Sequence, residues 1–121
     1  MDMPVPSSRV LADKAQIVAR LRGALSADAI IDDAAETLAY ECDGLAAYRC
    51  APLCVALPRT TGEVALVLRI CNEMDVPVVP RGSGTSLSGG ALPTADAVIL
   101  GVSRMNAVIE TDYDNRAIHV Q

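Results

Sequence analysis

The residues with the most chemistry to offer lie between Pro80 and Pro93, in the stretch PRGSGTSLSGGALP. Gly82, Gly84, Gly89 and Gly90 are interleaved there with Ser83, Thr85, Ser86 and Ser88, and Arg81 stands near its start. Glycine admits positive φ and close backbone approach, so a stretch of this composition can turn successive N–H groups toward one point. Nests of this kind bind anions, phosphate above all. The hydroxyls add donors, Arg81 adds a fixed positive charge at the mouth, and the loop reads as a cradle for a diphosphate. Its spacing excludes two other phosphate loops. The stretch contains no lysine, which a Walker A sequence requires. Four residues separate Gly84 from Gly89, and Leu87 to Pro93 does not open a regular helix, so the dinucleotide fingerprint is not met either. On composition alone, an ordinary Gly/Ser surface loop fits as well.

Several elements must hold such a loop in place. Val76-Pro77-Val78-Val79, directly before it, predicts a buried strand. Leu53 to Leu57, bounded by Pro52 and Pro58, predicts a buried parallel strand. Between them, Thr60 and Glu63 have the spacing of a capping box. Val64, Val67, Leu68 and Cys71 then form one helix face, widened by Ala65, Ile70 and Met74, and Asp75 ends the helix. This strand–helix–strand unit puts the glycine-rich loop at the carboxyl end of its second strand, the usual ligand side of an α/β sheet. Beyond the loop, Ala97 to Val102 predicts a third apolar strand. Ser103 to Asn106 makes a turn in which Asn106 caps backbone groups. Ala107 to Glu110 and Arg116 to Val120 alternate around Asp112-Tyr113-Asp114-Asn115, a hairpin pattern. The reading stops within a strand, which implies the first lobe of a larger protein.

Upstream, Met1 to Arg9 carries Pro4 and Pro6 and reads as disordered. A helix is expected from Asp13 to Leu25, with Asp13 and Gln16 as a capping pair and Ile17, Val18, Leu21, Ala24 and Leu25 as its apolar stripe. Ile30-Ile31 is a short apolar touch, and Asp32-Asp33 begins a turn or helix leading to Tyr40. Glu41-Cys42-Asp43-Gly44 is polar and turn-like, and reads as a surface loop. The expected division is a helical arm over residues 1–45 and an α/β unit over 46–121.

Composition narrows the function classes. The chain has 121 residues, enough for one modest core. Apolar residues make up 51%, but Phe and Trp are absent, so Val, Leu, Ile and Ala must fill that core. A net charge of −5 argues against nucleic acid or an anionic membrane as partner. No apolar run reaches the roughly 18 residues of a membrane span, and no secretory signal opens the chain. Cys42, Cys50, Cys54 and Cys71 lack paired C-x-x-C spacing and His119 is the sole histidine, so no metal site is expected. The four cysteines read as reduced thiols of a cytoplasmic protein, Cys54 and Cys71 as small core residues.

Taken together, the ordered segments Leu57-Pro58-Arg59-Thr60-Thr61-Gly62-Glu63-Val64, the helix after them, Val76 to Leu92, and Ser103-Arg104-Met105-Asn106 resemble a known family. It is the FAD-binding domain of the vanillyl-alcohol oxidase / p-cresol methylhydroxylase (PCMH-type) flavoproteins. Within it, the resemblance is to the group of the glycolate oxidase FAD-linked subunit and D-lactate dehydrogenase, and it runs from about Tyr40 to Gln121. It implies an α/β first lobe of a PCMH-type domain: helical arm, strand–helix–strand, glycine-rich loop, strand and hairpin.

By that resemblance the cofactor is FAD, with Pro80, Arg81, Gly82, Ser83, Gly84, Thr85 and Ser86 around its diphosphate and Gly89 and Gly90 shaping the loop. Thr85 stands where some relatives carry a flavin-linking His, which implies non-covalent FAD. The implied reaction is two-electron oxidation of a small 2-hydroxy acid, glycolate or D-lactate, with companion flavin and iron–sulfur subunits as partners. The catalytic residues are expected beyond Gln121, with His119 a remote alternative as base. D-2-hydroxyglutarate dehydrogenase and alkyl-glycerone-phosphate synthase type enzymes are alternatives of the same class. A non-redox flavin- or nucleotide-binding module, or a structural subunit with an empty loop, are alternatives of a different class.

Overall fold

The computed structural model describes residues 3–121. Its centre is a four-stranded sheet in the order β1-β2-β4-β3, formed by Ile30–Ile31 (β1), Cys54–Ala56 (β2), Val78–Arg81 (β3) and Val98–Gly101 (β4). β2, β4 and β3 are parallel, whereas β1 joins the outer side of β2 antiparallel. The strand–helix–strand unit is present, but its two strands are not neighbours, because β4 inserts between them. That insertion makes β3 an edge strand, and its residues are half-buried or exposed rather than buried. Pro80 is tolerated there because an edge strand can lack one ladder donor.

The two faces of the sheet explain why β2 and β4 read as continuous apolar runs. Cys54, Ala56, Val98 and Leu100 face the helices in one cluster with Ile17, Leu21, Val67 and Cys71. Val55, Leu57 and Ile99 form a second cluster, against which Ile31, Tyr40 and Val79 pack. With both sides covered, every position of the central strands is apolar. Full burial of a side chain such as Leu21 or Ile99 contributes about 1.5–3 kcal/mol.

Helix α4 spans Thr61–Glu73, and Thr60 caps it by accepting from Glu63 N–H at 3.2 Å. The reciprocal half of the capping box is displaced by one residue. Glu63 Oε2 accepts from the Arg59 N–H at 2.6 Å, not from that of Thr60. The buried face of α4 is Val67, Ile70 and Cys71, flanked by Val64 and Met74. Leu68, at 45% exposure, and Ala65 fall outside it, since a helix resting on one sheet face leaves the far side to water.

The amino-terminal part departs furthest from expectation. Ser8–Ala12 forms a short helix, α1, capped by the Ser7 hydroxyl and anchored by Val10, which is fully buried. Residues 8 and 9 are therefore ordered; of the stretch read as disordered, only Met1 and Asp2 lie outside the described residues. The helix expected from Asp13 is Lys14–Ala24 (α2), and Asp13 makes no side-chain cap. Its N–H closes α1 instead, by donating to the Arg9 carbonyl at 3.0 Å, which leaves it in near-helical geometry. The Ser7 N–H donates to Asp96 Oδ2 at 2.8 Å, which ties this end of the chain to the loop before β4. Burial works against the charged Asp96, but hydrogen bonds from Ser7, Thr94 and its own backbone outweigh it and hold the carboxyl below the usual range. That stabilisation is present above the ordinary carboxylate pKa and is lost as pH falls through the lowered one.

A separate hairpin, Val108–Asp112 (β5) and Ala117–Val120 (β6), follows the sheet. Asp112 closes its turn by accepting from Asn115 N–H and Nδ2 at 2.9 and 2.7 Å. Asn106 makes no side-chain hydrogen bond among the described residues. The turn before the hairpin is closed by Met105 N–H to the Val102 carbonyl and by Arg104, which donates to Asp28.

All four cysteines are free thiols. Burial pushes Cys54 up to about 12 and Cys71 up to about 11, whereas Cys42 and Cys50 are only half-buried. At pH 8, iodoacetamide is expected to label Cys42 and Cys50 in the native protein, with Cys54 and Cys71 labelled only after unfolding. Mass spectrometry that finds Cys54 or Cys71 alkylated at the rate of the other two would contradict this core.

Candidate cofactor site

The glycine-rich loop leaves the carboxyl end of β3 and returns through Pro93 to β4, so it caps the end of the sheet's parallel part. Two of its glycines adopt the left-handed region, Gly84 at φ 73° and Gly89 at φ 77°. The Ser86 hydroxyl accepts from Ser88 N–H at 3.3 Å and Gly90 N–H at 3.2 Å, and Leu92 N–H donates to the Gly89 carbonyl, which folds the second half of the loop onto itself. In the first half the opposite holds. No backbone N–H from Ser83 to Leu87 finds an acceptor among the described residues. Five consecutive donors are thus left for solvent or for an anion. An open hollow of about 360 Å³ lies there, lined by Pro80, Gly82, Ser83, Gly84, Thr85, Ser86, Gly90 and Ala91.

Of the expected site residues, these seven from Pro80 to Gly90 gather around one hollow. Gly89 serves the turn behind it. Arg81 lies elsewhere than expected. Its guanidinium does not stand at the mouth but turns to the back of the loop, where Nη1 donates to the Cys42 carbonyl at 2.8 Å and reaches the Ala91 carbonyl at 3.5 Å. It also lies over the Tyr40 ring, 5.5 Å from the centroid, within cation–π range. The absence of a side chain at Gly84 makes room for it. A Cβ there would stand 2.8 Å from Arg81 Nε and closer still to its Cζ and Nη2.

The segment behind the loop was legible only as a polar turn. A short helix, Ala34–Thr37 (α3), is capped by Asp33, which accepts from Ala35 and Glu36 N–H, and a 3-10 turn then delivers Tyr40. Glu41 is held from two sides, its carbonyl by Cys50 N–H at 2.7 Å and its carboxylate by Arg49 at 2.7 Å. Asp43, 6% exposed, accepts from Leu45 N–H at 2.9 Å and, more weakly, from Ala91 N–H at 3.5 Å. A Cβ on Gly44 would lie 2.9 Å from the carbonyl oxygens of both Thr85 and Ser86. Those carbonyls face Gly44, so the N–H groups of the same trans peptides, on Ser86 and Leu87, point away from it. Asp43-Gly44 is an ordinary turn pair in sequence, and nothing local shows that its turn packs against residues some forty positions later. His119 lies exposed on β6, outside the lining of the hollow.

Comparison with known proteins bears on the family and the fold. Residues 52–121 match a family described as FAD binding domain. The glycolate oxidase subunit GlcD of Escherichia coli (strain K12) is 39% identical over 109 residues, which cover 90% of this chain and 22% of that protein. A D-lactate dehydrogenase of Archaeoglobus fulgidus is 44% identical over 62 residues, covering 51% of this chain and 14% of that one. Among solved structures, substrate-bound p-cresol methylhydroxylase superposes with a TM-score of 0.76 at 24% identity, over 89% of this chain and 22% of its own, a likeness of fold. The match spans 14% to 22% of the length of these relatives. It belongs to the PCMH-type FAD-binding family, as part of an FAD-binding domain related to glycolate oxidase subunit GlcD and D-lactate dehydrogenase.

Proposed function

We propose that this chain is the amino-terminal FAD-binding portion of a flavin-dependent enzyme that oxidises a small 2-hydroxy acid, glycolate or D-lactate, to its 2-oxo acid. The observation that carries the cofactor assignment is the row of five backbone N–H groups without an acceptor, Ser83 to Leu87, of which the first four belong to residues that line the hollow. A diphosphate is the part of FAD that such a row fits, since each N–H offers a partial positive charge to an anionic oxygen at no cost in side-chain entropy. The hydroxyls of Ser83 and Thr85 stand in the same lining and extend the donor set. Pro80, Gly82, Gly84, Ser86 and Gly90 complete the wall, Gly89 shapes the return, and Arg81 supports the loop from behind. Thr85 offers no side chain for a flavin bond, which supports non-covalent binding.

The bound flavin supplies the two-electron chemistry, and the protein around it supplies orientation and electrostatics. In this reading the helical arm of residues 1–45 and the lobe of 46–121 together present the diphosphate loop. The substrate class rests on similarity to glycolate oxidase and D-lactate dehydrogenase. The base and the carboxylate-binding cation that such a reaction needs are assigned to no residue of this chain.

Protein expressed from its complete reading frame should show flavin absorbance that bleaches on anaerobic addition of glycolate or D-lactate. A flavin that stays oxidised with both would overturn the substrate class while leaving the cofactor in place. A colourless protein that takes up no FAD would overturn the cofactor assignment. In a second test, Gly84→Val should weaken FAD binding roughly ten- to hundredfold, because a β-branched residue at positive φ costs on the order of 1–3 kcal/mol and its Cβ displaces Arg81. Its circular dichroism should match the wild type. Undiminished FAD affinity in that variant would contradict the proposed role of the loop.

A further inference from the structure

We infer that Arg81 is a latch rather than an anion ligand, and that Tyr40 and the Cys42–Gly44 backbone are positioning residues that hold the diphosphate loop in its binding shape. The inference rests on the FAD reading above, but its residues reach outside the family match, which begins at residue 52. Three contacts converge on it. The guanidinium bonds the Cys42 carbonyl at 2.8 Å and lies on the Tyr40 ring, and its place beneath Gly84 requires that residue to lack a side chain. Tyr40 is itself fixed by packing against the sheet cluster of Val55, Leu57 and Ile99. The Thr85 and Ser86 carbonyls face Gly44, where a Cβ would lie 2.9 Å from each, so the N–H groups of those trans peptides point to the other side. A planar, forked cation suits this task, because it can stack on the ring and bond a carbonyl in its own plane at once, which an ammonium cannot.

A ligand role and a latch role predict different mutant patterns. If Arg81 only supplies charge to an anion, Arg81→Lys should keep FAD affinity. As a latch, Arg81→Lys should lose about tenfold, and Tyr40→Leu, which removes the π face but keeps apolar bulk, should lose about the same. Tyr40→Phe should bind within about twofold of wild type, since the ring and not the hydroxyl carries the contact. The double variant Arg81→Lys/Tyr40→Leu should lose no more than either single one, as expected of two residues that act through one interaction.

The experiment is FAD titration of the complete, cofactor-free protein, followed by flavin fluorescence, with hydrogen exchange of the Ser88, Gly90, Ala91 and Leu92 amides, which have internal acceptors, measured on the same samples without FAD. Exchange of these amides should rise in Arg81→Lys and Tyr40→Leu and stay unchanged in Tyr40→Phe. Wild-type affinity in Arg81→Lys, or losses that multiply in the double variant, would overturn the latch. If the wild-type protein takes no FAD, the functional reading fails separately. The exchange data then decide the latch alone, and unchanged loop exchange in both single variants would overturn it.

Discussion

The guanidinium of Arg81 lies where a side chain on residue 84 would have to be, and Gly84, at φ 73°, leaves it that space. Because Gly84 yields the space, Arg81 can turn backward to the Cys42 carbonyl and the Tyr40 ring. Because Arg81 turns backward, the first half of the loop has a support on one side and unmet donors on the other. Free backbone N–H groups in an ordinary surface loop cost little, since water serves them. Gathered at one hollow, as proposed for Ser83 to Leu87, they would favour an anion. A chain with a net charge of −5 can therefore present a local anion site without a cluster of cationic side chains.

The scaffold beneath this loop is stiff for an independent reason. β2 and β4 are apolar on both faces and fully buried, and α2 and α4 cover one of those faces. The loop springs from an edge strand, β3, but β3 is paired over its whole length to the buried β4, from Val78↔Val98 to Arg81↔Gly101. That pairing fixes where residue 81 ends and hence where the turn at Gly84 begins. The amino-terminal segment reaches the same place by a different route. β1 binds it to the far side of β2, the cap at Asp33 starts its short helix, and Glu41 is clamped by Arg49 and Cys50. Two parts of the sequence separated by some forty residues thus meet at the back of one loop.

Much of this was legible from local pattern. The apolar run at 53–57, the Thr60 cap, the helix after it and the Asp112 turn each carry their information within a few residues, and each was found close to its place. Strand order was not legible, because periodicity says that a segment is a strand without saying what lies beside it. Hence β3 was read as buried, although β4 inserts between β2 and β3 and leaves it at the edge. Leu68 was read into the core because its spacing fits a helix face, whereas only contact with the sheet decides which of two adjacent apolar stripes is covered. Ser8 and Arg9 were hidden by the neighbouring prolines. Their order comes from the buried Val10 and from the bond that the preceding Ser7 N–H makes to Asp96, both set by tertiary packing. The candidate loop was visible as composition, but the meaning of Arg81 was not. A positive charge beside glycines reads as an anion ligand, and its contacts with the Cys42 carbonyl and the Tyr40 ring, both some forty residues earlier, leave no local trace in sequence.

The most direct measurement is an NMR titration of the complete, isotope-labelled protein in its cofactor-free form with FAD, followed at the backbone amides. The account predicts that the largest shifts fall on Ser83 to Leu87, the amides without an internal acceptor, with little change at the helices of residues 8–24. Shifts concentrated elsewhere, with the Ser83 to Leu87 amides unmoved at saturation, would contradict it.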